Sequence, residues 1–238
     1  DRNCLIGLHD ILKDTGYHTT FINPEPGNKE FTDFLRDFGW DELAGDMSDC
    51  SINHATGGLE FIDDKKMFEM LLDICEEQSN AGQPFFASMY TFGTHVSFDS
   101  DYQKYGDGSN SVLNRFYNLD YCFGNFMEKF MNSDFAEDTI VVFTTDHATY
   151  PDNAFRKTFP GIERIGYVSE VPLGIYYKGI TPSVFDVNGR NSLGLAPTIL
   201  DFLDISAPNF FLGSTLFSDK EQGELETIFQ SLSTIFDT

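Results

Sequence analysis

The chain has 238 residues and a formal net charge of −23, with 41% hydrophobic and 22% charged residues. Such a composition is globular rather than disordered and suits one α/β domain over residues 1–238. The acidity argues against nucleic acid or an anionic membrane surface as partner, because both would be repelled, but it leaves a phosphate-bearing small molecule open, since a bound cation reverses the local field.

The 25 phenylalanines allow a large aromatic core. The four cysteines, Cys4, Cys50, Cys75 and Cys122, show no C-x-x-C spacing. Cys75 and Cys122 fall in apolar helical patterns and are expected as free core thiols. No signal peptide or membrane span is visible. The N-terminus, "DRNCLIGLHDILKDTGYHTTFIN", lacks an initiator Met and opens on a helix-then-strand pattern, as expected of a chain cut from a longer protein.

In chain order, Asp1 or Asn3 can cap a first helix to about Thr15, closed by Gly16. Tyr17 to Asn23 is β-rich, and Pro24-Glu25-Pro26-Gly27 breaks it. Residues 29–38 suit a short helix with Phe31, Phe34, Leu35 and Phe38 on one face. The stretch from about 44 to 60 reads as loop. Asp63 or Asp64 caps a helix in which Phe68, Leu71, Leu72 and Cys75 recur at helical spacing. "PFFASMYTF" reads as a strand buried on both faces and exits at Gly93-Thr94-His95. After a loop rich in Asp, Gly, Ser and Tyr comes a helix over about 111–131, carrying Leu113, Phe116, Tyr117, Asp120, Phe123, Gly124, Met127 and Phe130. Thr139 to Thr145 is a second buried strand, ending at Asp146-His147, and "VPLGIYYKG" is a third. "APTILDFLDIS" is a helix started at Pro197. "FFLGSTLF" is a short edge segment, and the tail is a weakly amphipathic helix. Strands alternating with helical patterns imply βαβ units and a mostly parallel sheet.

In such a sheet, ligands gather outside the carboxyl ends of the strands. Two apolar runs end in His: one at His95, the other at Asp146-His147. If these strands are neighbours, the three side chains share one rim. Asp plus His is a fitting ligand mix for a divalent cation, though two adjacent ligands cannot complete a first shell of about four. The competing reading is plain: Asp is a common cap, and the pair "DH" arises often by chance. His9 and His54 read as ordinary surface or core residues, and His18 as a surface residue. Asp99, Asp101 and Asp107 read as a solvated loop without the spacing of a calcium motif. Tyr102 and Tyr105 are candidates to line a sugar or glycerol pocket.

The ordered series "PFFASMYTFGTHVSFD", "LNRFYNLDYCFGNFMEKF", "DTIVVFTTDHATYPDN", "VPLGIYYKG", "LAPTILDFLDI" and "FLGSTLF" resembles the sulfatase/alkaline-phosphatase superfamily, in its lipoteichoic acid synthase-like, phosphoglycerol transferase branch. Upstream, "LHDILKDTGYHTTFIN", "FLRDFGWDEL" and "GLEFIDDKKMFEMLLD" resemble the same branch. The resemblance implies an α/β/α sandwich with a mainly parallel central sheet, lacking its N-terminal part. It implies that Asp146 and His147 bind a divalent metal, manganese by preference, with Mg²⁺, Ca²⁺ or Zn²⁺ as alternatives. It implies that His95 is catalytic and faces the phosphate, and that Asn23 stands near a second substrate-binding position. It implies transfer or hydrolysis of a small-molecule or lipid head-group phosphate or sulfate ester, and an extracytoplasmic, membrane-anchored parent.

The departures are equally specific. The Thr or formylglycine nucleophile of the family and its acidic metal ligand belong to a preceding half that this chain does not match, and no Cys here is followed by the sulfatase pattern. Thr144 and Thr145 are expected to be packed rather than nucleophilic. The isolated chain is therefore expected to turn over little or nothing. An exposed sheet edge makes self-association an expectation too. Two other readings stand beside the transferase: a sulfatase acting on sulfated sugars, and a non-catalytic binding domain of the same fold.

Overall fold

The computed structural model describes residues 6–53, 59–162, 170–187, 189–218 and 227–228. Its centre is a parallel sheet in the order β2-β1-β5, formed by Glu42–Ala44, His18–Ile22 and Phe85–Met89. The register pairs Phe21 with Leu43 on one side and Ser88 on the other. β5 shows the alternation that a sheet between two layers requires. Phe85, Ala87 and Met89 point to a core of Phe68, Cys75, Cys122, Phe126 and Phe130. That core is supplied by α3 (Asp64–Asn80) and α4 (Ser111–Met131). Phe86 points the other way, onto Ile11 and Leu12 of α1 (Leu8–Asp14) and Leu200 of α6 (Leu195–Phe202). Helices thus cover both faces, the α/β/α arrangement expected. β5 is half-buried along its length rather than fully buried.

β6 (Val141–Thr144) and β7 (Leu173–Tyr176) form a separate antiparallel ladder. They sit on the same α4 core, with Phe123 against Phe143 and Phe130 against Tyr176. β7 therefore runs opposite to the direction expected for "VPLGIYYKG". Thr144 Oγ1 donates to the Pro172 carbonyl at 2.9 Å, which commits it to this ladder.

Local chemistry fixes where the helices start. Asp63 accepts from the Lys66 amide at 3.0 Å, Asn110 from those of Val112 and Leu113 at 3.1 Å, and Asn28 from Phe31 at 3.2 Å, opening α3, α4 and α2 (Lys29–Asp37). Asp152 does the same for α5 (Asn153–Thr158). Each such cap satisfies an amide that the helix leaves unpaired, and is worth about 1 kcal/mol.

Several expectations need correction. The stretch 44–60 is not all loop: it contributes the end of β2 and a short antiparallel pair, β3 (Ser51–Asn53) and β4 (Leu59–Phe61). α1 opens after Gly7, whose amide donates to Asp10 at 2.7 Å; Asp1, Asn3, Cys4 and His54 lie outside the described residues. α6 begins at Leu195, ahead of Pro197. "FFLGSTLF" forms no strand among the described residues. Of the tail only residues 227–228 are described, and they are helical. On α2, Leu35 is buried while Phe34 and Phe38 are exposed. His18 is not a surface residue: it is half-buried, its Nε2 3.6 Å from Glu42. His9 is buried, bonded to the Phe38 carbonyl at 2.8 Å and stacked on Trp40. Cys75 and Cys122 are free and buried, and desolvation pushes both thiols up to about 12.

Candidate active site

Three strands lead at their carboxyl ends to the candidate side chains, two in the parallel sheet and β6 in its separate ladder. After β1 the chain turns through Pro24 to Glu25, after β5 it leaves at Tyr90, and after β6 it leaves at Asp146. The Tyr90 phenol donates to Glu25 Oε2 at 2.7 Å. Burial first, then that bond and the charges of Glu25 and Asp146, hold the phenol above its usual range. The Tyr90 ring packs edge-on to Phe92 at 6.4 Å between centroids, and Phe92 lies 5.1 Å from His95. A continuous run of neighbours therefore links Glu25 to His95 through Tyr90 and Phe92.

His95 is exposed, and its ring leans on a pair of mutually packed phenylalanines, Phe92 and Phe98, each 5.1 Å away. Its Nδ1 lies 3.1 Å from the Val96 carbonyl oxygen, so that nitrogen carries the hydrogen and Nε2 presents a lone pair. The loop is tightly wound: the His95 amide donates to Phe92, the Phe98 amide donates to His95, and Ser97 sits at φ 69°, a left-handed conformation that costs a non-glycine residue about 1–2 kcal/mol.

Asp146 is highly exposed, its side chain at 83%. Its Oδ1 accepts from the His147 amide at 2.9 Å, and its Oδ2 stands 3.5 Å from His147 Nε2. His147 Nδ1 donates to the Ala148 carbonyl at 2.8 Å, and the ring meets Tyr150 edge-on. This arrangement suits a cation. A backbone acceptor on Nδ1 selects the tautomer that ligates through Nε2. Two donors on one ion, with bonds of about 2.1 Å, stand about 3–3.5 Å apart. Among the described residues no group of three acidic, His or Cys side chains could hold a metal ion.

Asn23 does not meet its expectation. It is 1% exposed, its Nδ2 donates to Thr32 Oγ1 at 2.9 Å, and its Oδ1 accepts from the Glu25 amide at 3.0 Å. Both ends of the amide are spent on shaping the turn after β1. That turn instead projects Glu25 to the rim, and neither Glu25 nor Tyr90 stands out in the sequence. In the loop beyond His95, Asp99 accepts from Asn114 and the Ser100 amide, and Asp107 from the Ser109 amide. Tyr102 borders a groove of about 240 Å³ with Phe61, Asp63, Asp64, Gly93 and Ser100, whereas Tyr105 packs on Tyr117.

Two buried charges also escape a sequence reading. Asp64 is 1% exposed and accepts from the Gly93 amide at 3.1 Å and Asn118 Nδ2 at 3.0 Å; burial pushes its carboxyl up to about 6. Arg115 is 1% exposed, and its three guanidinium nitrogens have no hydrogen-bond partner among the described residues. Desolvation lowers its pKa, and the charges of Asp152 and Asp99 act against that.

A parallel sheet between helical layers is the α/β architecture of alkaline-phosphatase-like folds. The sulfatase family model matches residues 6–205, and the chain belongs to the sulfatase family. Solved structures share the fold. A protein in the alkaline phosphatase superfamily from Vibrio parahaemolyticus aligns over 91% of this chain and 52% of its own, at 22% identity and a TM-score of 0.73. The lipoteichoic acid synthase LtaP from Listeria monocytogenes aligns over 90% of this chain and 55% of its own, at 18% identity and a TM-score of 0.66. The chain spans about half the length of these structures.

Proposed function

We propose that this chain carries the Asp146–His147 half of a divalent-metal site in a phosphoglycerol transferase or phosphodiesterase, with His95 facing the ester. The observation that carries the reading is the Asp146–His147 pair itself, with Oδ2 3.5 Å from Nε2 and the ring held by the Ala148 carbonyl at 2.8 Å. When bound, a manganese ion (or Mg²⁺, Ca²⁺ or Zn²⁺) would neutralise charge on the transferred group and activate an oxygen nucleophile. Asp146 and His147 Nε2 would hold it, with His147 oriented by the Ala148 carbonyl. His95, its Nδ1 hydrogen committed to Val96, would use Nε2 to accept a proton from an attacking hydroxyl, or in protonated form donate one to the leaving alkoxide.

The substrate in this reading is a small-molecule or lipid head-group phosphate ester; the net charge of −23 argues against nucleic acid. The family's other chemistry, sulfate-ester hydrolysis, is the second reading. The parent is placed outside the cytoplasm on a membrane anchor, although no described helix is long and apolar enough to cross a membrane. Self-association rests on β5, which among the described residues pairs only with β1.

Manganese is its own probe here, because it broadens nearby nuclear signals. Titrating Mn²⁺ should first broaden resonances of residues 146–147, Tyr90 and His95. Asp146→Ala should abolish that pattern and leave weak, scattered broadening from the acidic surface. First broadening at another acidic cluster, or an unchanged pattern in the variant, refutes the assignment. Comparing a phosphodiester with an aryl sulfate as substrates of the parent protein separates the two ester readings.

A further inference from the structure

We infer that Asp64 is the positioning residue of the His95 loop, acting through the Gly93 amide. The role rests on the reading of His95 given above, but its geometry stands alone. Asp64 is the first residue of α3, just after the Asp63 cap. It turns inward where a second acid would ordinarily face solvent. Oδ1 takes the Gly93 amide, two residues before His95, and Oδ2 takes Asn118 Nδ2 from α4. The far end of the loop returns to the same place, since the Gln103 amide donates to Asn118 Oδ1 at 3.2 Å. One carboxylate–carboxamide pair, anchored on two core helices, therefore clamps the loop at residues 93 and 103.

The clamp explains why residue 93 lacks a side chain. A Cβ there would stand 2.6 Å from Asp64 Oδ1 and 2.7 Å from its Cγ, closer than carbon approaches either atom. A neutral acceptor could serve Gly93, yet an amide in place of the Asp64 carboxylate would not serve the pair. Asn118 has its oxygen committed to Gln103 and must offer Nδ2 to its partner on α3. If that partner were also a carboxamide, the Asn118 NH₂ would either meet another NH₂ or displace the Gly93 amide.

This asymmetry sets the test. In Asp64→Asn, hydrogen exchange at the Gly93 amide should quicken about 10–100-fold, the consequence of one buried bond left unmade. The His95 ring resonances should shift and broaden. The core amide of Phe126 on α4 is the internal reference, because a merely structural loss would quicken both amides alike. The double variant, Asp64→Asn with Asn118→Asp, exchanges the two groups between the helices. The carboxamide, now on α3, would donate to the carboxylate, now on α4. Gly93 would donate to the carboxamide oxygen, and Gln103 to the carboxylate. The exchange should bring Gly93 protection and the His95 signals back to within about threefold of the native values. Unchanged Gly93 exchange and His95 signals in Asp64→Asn would overturn the inference. So would a folded double variant that restores neither. Should the single variant fail to fold, the double variant alone decides. Inorganic phosphate, titrated against each form, separates this claim from the one beneath it. A native His95 that ignores phosphate would end the ester-facing reading, while the exchange data would still decide whether Asp64 holds the loop.

Discussion

The same buried carboxyl should leave a signature in the pH dependence of stability. Burial raises Asp64 from the usual 3.8 to about 6 in the folded chain, with the neighbouring Asp63 charge adding to the rise and the Gly93 and Asn118 bonds opposing it. Between about pH 4 and 6 the folded state therefore binds the proton that the unfolded state has released. The contribution of Asp64 to stability must fall as pH rises through that window, because its slope follows protons bound unfolded minus protons bound folded, here negative. At about 1.4 kcal/mol per pH unit the full gap amounts to about 3 kcal/mol, absent below about pH 4 and fully present above about pH 7. Asp64→Asn removes the titration but adds a pH-independent loss from its mismatch with Asn118. The informative quantity is therefore the difference in urea-unfolding free energy between variant and native chain, followed from pH 4 to 7. It should move in favour of the variant by about 2–3 kcal/mol, with equal m-values. A difference that stays flat across this range would refute the reasoning, whatever its absolute size.

Arg115→Met should leave stability unchanged or raise it by about 1–4 kcal/mol, because it keeps volume while removing a buried guanidinium with no hydrogen-bond partner among the described residues; a melting temperature several degrees below native would contradict that. Asn23→Ala should cost about 1–3 kcal/mol in chemical denaturation, since the Glu25 amide loses its acceptor and Thr32 its amide donor. It should also blunt the Mn²⁺ broadening at Tyr90, whose phenol rests on Glu25; an Asn23→Ala chain of native stability would show that the turn is held by other means.

Much of the framework is legible in the residues. α3 announces itself through the Asp63 cap and the Phe68–Cys75 spacing, and β5 and β6 through short apolar runs that end at His95 and Asp146. What escapes has particular causes. β2, β3 and β4 are three residues each, too short for alternation to register, and β2 takes its partner from a distant segment. The direction of β7 lies in its pairing with β6, not in its own residues. α4 misleads most. A hydrophobic count places Leu113, Phe116 and Tyr117 inside, yet the buried positions of its first half include Asn114, Arg115 and Asn118, while Tyr117 is exposed. Polar residues enter there because the loop crossing that face brings bare backbone amides and carbonyls that must be matched. Asp64 is missed for the same reason: its partner is an amide that only the fold brings near.

That inward polar row on α4 has a consequence for engineering. Asn114 accepts from the Tyr105 amide and donates to Asp99 and the Gly108 carbonyl, while Asn118 receives Gln103. The helix is a mould, and the segment from 93 to 108 is its casting. Transplanted into a recipient scaffold whose equivalent helix carries leucine or alanine at those two places, the segment would lose its contour however faithfully its own letters were copied. A chimera that keeps the imidazole poised must therefore carry both asparagines along with it.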